Sequence, residues 1–302
     1  MPKASGASLS GHALLGLAAL TLMWGFNWPL MKFSLRELTP LYFRAVTMTG
    51  GALLLYTFYL SRGQAMNLPR AAWPATLQLA ATNIFGWHLF SILGVQALAS
   101  GRAAILGFTM PIWTVLLAVV FFGARLTPRI AVAATCAAAA VLLLLGDELF
   151  ALAGNPRGVV WMQLAALSWA LGTILMRASR LALPTPVITV WMMLLSSVIF
   201  WLVAAASEPL PSWSFSAPMW AALLWGVAIN YGIAQIIWFG LARELPATAS
   251  AFSIMAVPLV GILSATFIVG EVPVWQDWIA VVFVIGAIAA TLLPQRQVNA
   301  PQ

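Results

Sequence analysis

No residue between Arg70 and Arg102, between Arg180 and Glu208, or between Glu208 and Arg243 is an Asp, Glu, Lys or Arg, and most residues in those stretches are apolar. Uncharged apolar runs of this length are what a helix needs to cross a bilayer, about 20 residues each. A water-soluble chain carries roughly 25% charged residues to keep its surface solvated. This chain of 302 residues is 7% charged and 63% hydrophobic. Its apolar content is close to the roughly 200 residues that ten spanning helices require. A soluble enzyme with one or two anchors is excluded, and so is disorder. An outer-membrane barrel is disfavoured, because its strands alternate polar with apolar residues. The reading is an all-α polytopic membrane protein.

Apolar runs punctuated by charges, Gly and Pro predict ten transmembrane helices, over 11–32, 39–61, 72–97, 101–122, 128–146, 158–179, 185–206, 217–241, 247–269 and 275–293. The first run is not read as a cleaved signal peptide: it lacks a small-residue cleavage site and contains Trp24, Asn27 and Pro29. With the N-terminus in the cytoplasm, the inner segments hold Lys3, Arg62, Arg70, Arg125, Arg129, Arg177, Arg180, Arg243 and Arg296. The outer ends hold only Lys32, Arg36, Arg102 and Arg157. That bias sets the expected orientation, with both termini cytoplasmic. Glu37, Asp147, Glu148, Glu208, Glu271 and Asp277 then all fall outside.

The two halves of the chain resemble each other. WGFNWPLMK (Trp24 to Lys32) is echoed by WALGTILMR (Trp169 to Arg177), 145 residues later. TMPIWTVLLAVVFFG aligns with MAVPLVGILSATFIVG at an offset of 147, pairing Pro111 with Pro258 and Gly123 with Gly270. The same offset pairs Asn83 with Asn230 and His88 with Gln235. Residues 1–150 and 151–302 are therefore read as two five-helix repeats. Five is odd, so the second repeat enters the membrane from the opposite side, the inverted arrangement that transporters use for alternating access.

On these features the whole chain resembles the drug/metabolite transporter superfamily, EamA type. The resemblance is carried by Trp24, Gly25 and Asn27, by Arg44 in LYFRAV, by Pro111 and Pro258, and by Gly270-Glu271 closing the ninth run. Gly123-Ala124 departs from the Gly-Glu usual in such repeats. The resemblance implies a bacterial inner-membrane exporter of amino acids or related metabolites. The tryptophan load is similar to that of YddG-like exporters of aromatic and other neutral amino acids.

Polar side chains at lipid depth are costly and need a partner, a cavity or a substrate. Trp24, Asn27, Trp28 and Met31 follow helical spacing and share a face, with Trp169 at the equivalent place in the second half. They would line a cavity with aromatic walls and one amide, or simply pack, Asn27 bonding a neighbouring helix. Tyr231, Gln235 and Trp238 share a face of the eighth run, matched by Ile84, His88 and Ser91 in the third. In an α-helix Asn83 and Asn230 lie about 140° from His88 and Gln235, so they are expected to be interhelical hydrogen-bond partners. His88 would carry a coupling proton, or donate as a neutral ring to a carbonyl. Arg44 would snorkel outward, or hold a substrate carboxylate through two bonds. Pro29, Pro111 and Pro258 are the expected hinges. Small residues in the fourth and ninth runs predict close central crossing, and those in the fifth and tenth a mutual pairing or a dimer contact.

The function these residues point to is facilitated transport of a small molecule across a lipid bilayer by a monomer or weak homodimer. The alternative is export of another metabolite or drug, coupled to protons through His88. An intramembrane enzyme would need paired acids, a Ser-His arrangement or a metal cluster. His12 and His88 are the only histidines, and Cys136 the only cysteine. No metal, cofactor or nucleic-acid partner is called for, since the basic residues are scattered singly. A channel is disfavoured because no filter segment is evident.

Overall fold

The structure is a computed structural model that describes residues 11–123, 125, 127–150, 154–241 and 247–292. Among the described residues it is all helix, with no strand. The elements are α1 Gly11–Ser34, α2 Pro40–Ser61, a single 3-10 turn Arg70–Ala72, α3 Trp73–Leu79, a π segment Ala80–Gly86 and α4 Trp87–Ala97. They continue through α5 Ser100–Gly107, α6 Met110–Phe122, α7 Pro128–Phe150, α8 Pro156–Ala178 and α9 Thr185–Ser207. The last are α10 Ala217–Leu224, a second π segment Trp225–Ile233, α11 Ala234–Leu241, α12 Ala247–Ile268 and α13 Trp275–Leu292. Each range predicted as a span is helical over most of its described residues, the fourth with a break at Phe108 and Thr109. Six segments are long and apolar enough to cross a membrane by length and composition.

Prolines mostly begin helices here. Pro40, Pro74, Pro111, Pro156, Pro186 and Pro218 all lie in a first turn, where the missing N–H costs no intrahelical bond. Two of the three expected hinges, Pro29 and Pro258, lie inside the helices α1 and α12. Pro111 does not bend a continuous helix. The chain breaks at Phe108 and Thr109, between α5 and α6, and Pro111 starts the second piece. Gly123 and Gly270, paired in the sequence alignment, follow α6 and α12 in the left-handed conformation (φ 67° and 76°), which stops a helix without strain only at glycine.

The closest packing brings sequence-distant helices together: α1 on α12, α2 on α9, α4 on α8, α5 on α12, and α7 on α13. Glycine makes the α1–α12 and α5–α12 approaches possible. A Cβ at Gly25 would collide with Val260, and one at Gly101 would press on Ile262. This is the small-residue crossing expected of the fourth and ninth runs. The fifth and tenth runs, α7 and α13, pair with each other.

One end of the bundle collects every described acid, and all but Asp147 serve a helix start. Glu208 accepts from the backbone N–H of Leu41 and Tyr42 at the head of α2 (3.0 and 3.1 Å). Glu271 accepts from Ser100 N–H and Oγ, both at 2.7 Å, at the head of α5. Glu37 accepts from Ser216 N–H and hydroxyl before α10, and Glu148 from Asn155 N–H before α8. Asp277 accepts from Val274 N–H in the first turn of α13. Unpaired N–H groups and the positive end of the helix dipole favour a carboxylate there. At the same end Arg102 joins α5 to α7 and α13, bonding Asp147 (2.6 Å), Glu148 (2.5 Å) and Asp277 (2.8 Å). Lys32 closes the C-terminus of α4, donating to Val95, Gln96 and Leu98 carbonyls at 2.8–2.9 Å.

Candidate functional site

The polar centre of the bundle is built on Arg44. It lies in the second turn of α2, and its side chain is 3% exposed. The snorkelling expectation therefore fails. The guanidinium turns into the protein, where Nη1 donates to the Tyr231 hydroxyl at 3.2 Å and Nη2 to Ser91 Oγ at 3.0 Å. The physical reason is that two buried hydroxyls from facing helices offer a partner at shorter reach than the bundle end. Nε has no hydrogen-bond partner, and no carboxylate lies within ion-pair distance of Arg44 among the described residues.

His88 completes the cluster. Its ring lies 5.4 Å from that of Tyr231, and Nδ1 is 2.7 Å from the Ile84 carbonyl oxygen. A carbonyl only accepts, so Nδ1 carries the hydrogen and Nε2 is left as an acceptor in the neutral ring. Ser91, one turn beyond His88, donates to the His88 carbonyl while accepting from Arg44. Arg44, Ser91, His88 and Tyr231 are all buried. They come from α2, α4 and the Trp225–Ile233 π segment, so both halves of the chain contribute.

The π segments place two of these elements. Hydrogen bonds running i to i+5 bring residues five apart onto a similar bearing, where an α-helix separates them by about 140°. Asn83 and His88 are both buried, but against different neighbours, α8 for Asn83 and Tyr231 for His88. Asn83 does not make the interhelical hydrogen bond expected of it. It packs against Gly172 of α8, but its Nδ2 has no partner. Asn230 lies in the matching π segment and is half-buried.

A second group is aromatic. Trp169 meets Trp87 edge-on at 5.4 Å, Trp87 meets Trp28 at 6.4 Å, and Trp28 meets Phe108 at 6.4 Å. Trp28 is in the core at 5% exposure, whereas Trp24 and Asn27 are half-buried on α1. Gln235 is half-buried on α11, and Trp238 is on the same helix with its side chain outside the described residues. Tyr231, His88 and Arg44 thus stand together, and Trp28 and Trp169 are joined through Trp87. Ser91 and Trp87 were not singled out from sequence. Ser91 was visible as the residue one turn after His88 on the same face; Trp87 was masked by lying off that face. Gln163 of α8 also went unnoticed: its Oε1 accepts from Trp113 Nε1 (2.9 Å) and Thr109 Oγ1 (3.3 Å), bracing the α5–α6 break.

The arrangement offers a buried cation with an unused Nε donor and hydroxyl and imidazole neighbours, and separately a chain of aromatic rings. The described residues contain no group of three or more His, Cys, Asp or Glu placed to hold a metal ion. The EamA-like transporter family model matches residues 11–146 and again 156–293. The chain is similar to uncharacterized transporter YoaV of Bacillus subtilis, 21% identical, covering 82% of this chain and 86% of that one. It is also similar to uncharacterized inner membrane transporter YedA of Escherichia coli K12, 26% identical over 94% of each. A solved structure described only as "Crystal structure of protein" shares the fold, with a TM-score of 0.67 and 23% identity, covering 98% of this chain and all of that one.

Proposed function

The chain belongs to the EamA-like transporter family, and from that premise we propose that it is a secondary carrier. It moves amino acids or related small metabolites across the bacterial inner membrane by alternating access. Its ten spans form two inverted five-helix repeats, 1–150 and 151–302, with both termini in the cytoplasm. Support comes from the family model matching twice along the chain. Further support is the recurrence of a π segment in the third and eighth runs and of a left-handed glycine after α6 and α12. The inner-membrane assignment follows the name of the relative YedA. The observation that carries the reading is the buried junction of Arg44, Ser91 and Tyr231, which needs both halves to form. Carriers of this kind bind cargo where their repeats meet.

Transport is facilitative. Every described acid is engaged at one end of the bundle, so His88 is the remaining candidate for a proton relay, and its Nδ1 hydrogen is held by Ile84. The test is reconstitution into vesicles with a labelled neutral amino acid, competed by tryptophan, methionine, threonine and a dipeptide, with and without a pH gradient. Saturable, competed exchange without a gradient is expected. Proton-driven accumulation that survives His88→Ala would reject facilitation. Absence of exchange with any of these solutes would reject the amino-acid reading.

A further inference from the structure

We propose that this site selects its cargo as an anion. Arg44 anchors a carboxylate, and the cargo's ammonium group is dispensable. The inference rests on the carrier reading for its physiological meaning, but its physical basis is independent of it. A guanidinium stays charged in a protein and carries five N–H donors. Arg44 uses two of its nitrogens on neutral hydroxyls, and its Nε on nothing. A buried charge with no counter-charge is among the costliest arrangements in a fold.

Among the described residues nothing beside Arg44 supplies that counter-charge. α4 presents His88 and Ser91, the Trp225–Ile233 π segment presents Tyr231, and Phe43 of α2 itself lays its ring 6.0 Å from the guanidinium. None is acidic. Glu37, Glu208 and Glu271 are committed to helix starts, and Asp147, Glu148 and Asp277 to Arg102. With every described acid engaged elsewhere, the missing negative charge is assigned to the cargo. A carboxylate suits the planar fork of the guanidinium, which binds it through two parallel bonds. An α-ammonium on the same molecule would sit beside Arg44 with no acid to receive it. A monocarboxylate therefore binds at least as tightly as the corresponding zwitterion.

The experiment uses four molecules on one skeleton: 3-phenylpropionate, phenylalanine, 3-phenylpropionamide and phenethylamine. Each is titrated against the purified full-length protein, read by quenching of its tryptophans, and separately tested as a competitor of vesicle exchange. The carboxylates are expected to bind, 3-phenylpropionate no more weakly than phenylalanine, and the amide and amine at least about thirtyfold more weakly. Arg44→Lys retains the charge but loses the fork and falls between wild type and Arg44→Gln, which no longer distinguishes acid from amide. If Arg44→Gln fails to fold, Tyr231→Phe and Arg44→Lys carry the test, each weakening the carboxylates while leaving the amide unchanged. Equal binding of acid and amide, or binding by none of the four, overturns the proposal. Carboxylate-selective binding without vesicle exchange upholds it and overturns the carrier reading instead. Exchange without carboxylate selectivity does the reverse.

Discussion

Replacing Arg102 with methionine tests whether the charge cluster at the acid-bearing end holds the bundle together. The Arg102 side chain is 12% exposed and its partners Asp147, Glu148 and Asp277 are 24%, 10% and 8% exposed. Methionine keeps most of the volume but strands two nearly buried carboxylates. Removing one member of a buried pair costs about 3–5 kcal/mol, because the survivor's desolvation is no longer offset. Asp147 is more exposed and also accepts from Gln276, so Asp147→Asn alone costs about 1 kcal/mol or less. For a chain of this size about 2 °C of melting temperature accompanies each kcal/mol. Arg102→Met is therefore expected to melt about 6 °C or more below wild type in detergent, followed by tryptophan fluorescence. Adding Asp277→Asn to Arg102→Met should recover part of the loss, since it removes one stranded charge. If Arg102→Met melts within about 2 °C of wild type, or the second substitution deepens the loss, electrostatic stapling is the wrong explanation.

Four other outcomes follow from the contacts of single residues. Gly25→Ala, whose new Cβ would meet Val260 where α1 crosses α12, should cost about 1–3 kcal/mol. Gly286→Ala on α13, with open space around it, should leave the melting temperature unchanged. Glu271→Gln weakens the cap on α5 and should lower stability by about 1 kcal/mol in the same melt. Glu37 is held below the usual carboxylate range by the hydroxyl and N–H of Ser216. Its cap is intact above that range and lost as pH falls through the depressed value. The melting difference between wild type and Glu37→Gln should therefore be present at neutral pH and vanish only in strong acid.

Much of this architecture can be read from residue order. Charges interrupting apolar runs locate the helices to within a few residues, because lipid leaves no other place for a charge that lacks a partner. The small residues of ASGRAAILG announce the close crossing of α5 with α12, where Gly101 and Ala104 meet Ile262 and Gly261, and alanine in α7 its pairing with α13. What eludes the sequence is local helix geometry. Nothing in AATNIFG or WGVAINYGI advertises i to i+5 bonding, which turns the residues beyond each segment away from the bearing an unbroken α-helix would give them. The direction of Arg44 is equally hidden. Four residues from a helix start it has a short path outward, and only the facing Tyr231 and Ser91, far apart in sequence, turn it inward. Phe108 and Thr109 give no warning of a break, whereas Pro258, which does resemble one, sits within a continuous α12.

The one-sided distribution of the described acids also has a cause beyond membrane topology. In a bundle of alternating helices, every second helix begins at the same end, and all those starts present unpaired N–H groups and positive dipole ends there. Carboxylates placed at that end are stabilised; placed at the other they would face helix carbonyls. The starts of α2, α5 and α10 take theirs from the opposite half of the chain, from Glu208, Glu271 and Glu37 respectively. Capping thus doubles as a connection between halves, confined to one end. Any motion that separates the halves at that end must give up several carboxylate–N–H bonds together. The end is closed by contacts whose strength depends on charge, and neutralising Glu208 and Glu271 jointly should raise labelling of a cysteine placed at Ser100 or Leu41 in membranes. Unchanged labelling in that double variant would show that the caps stabilise single helices only and do not hold the two halves shut.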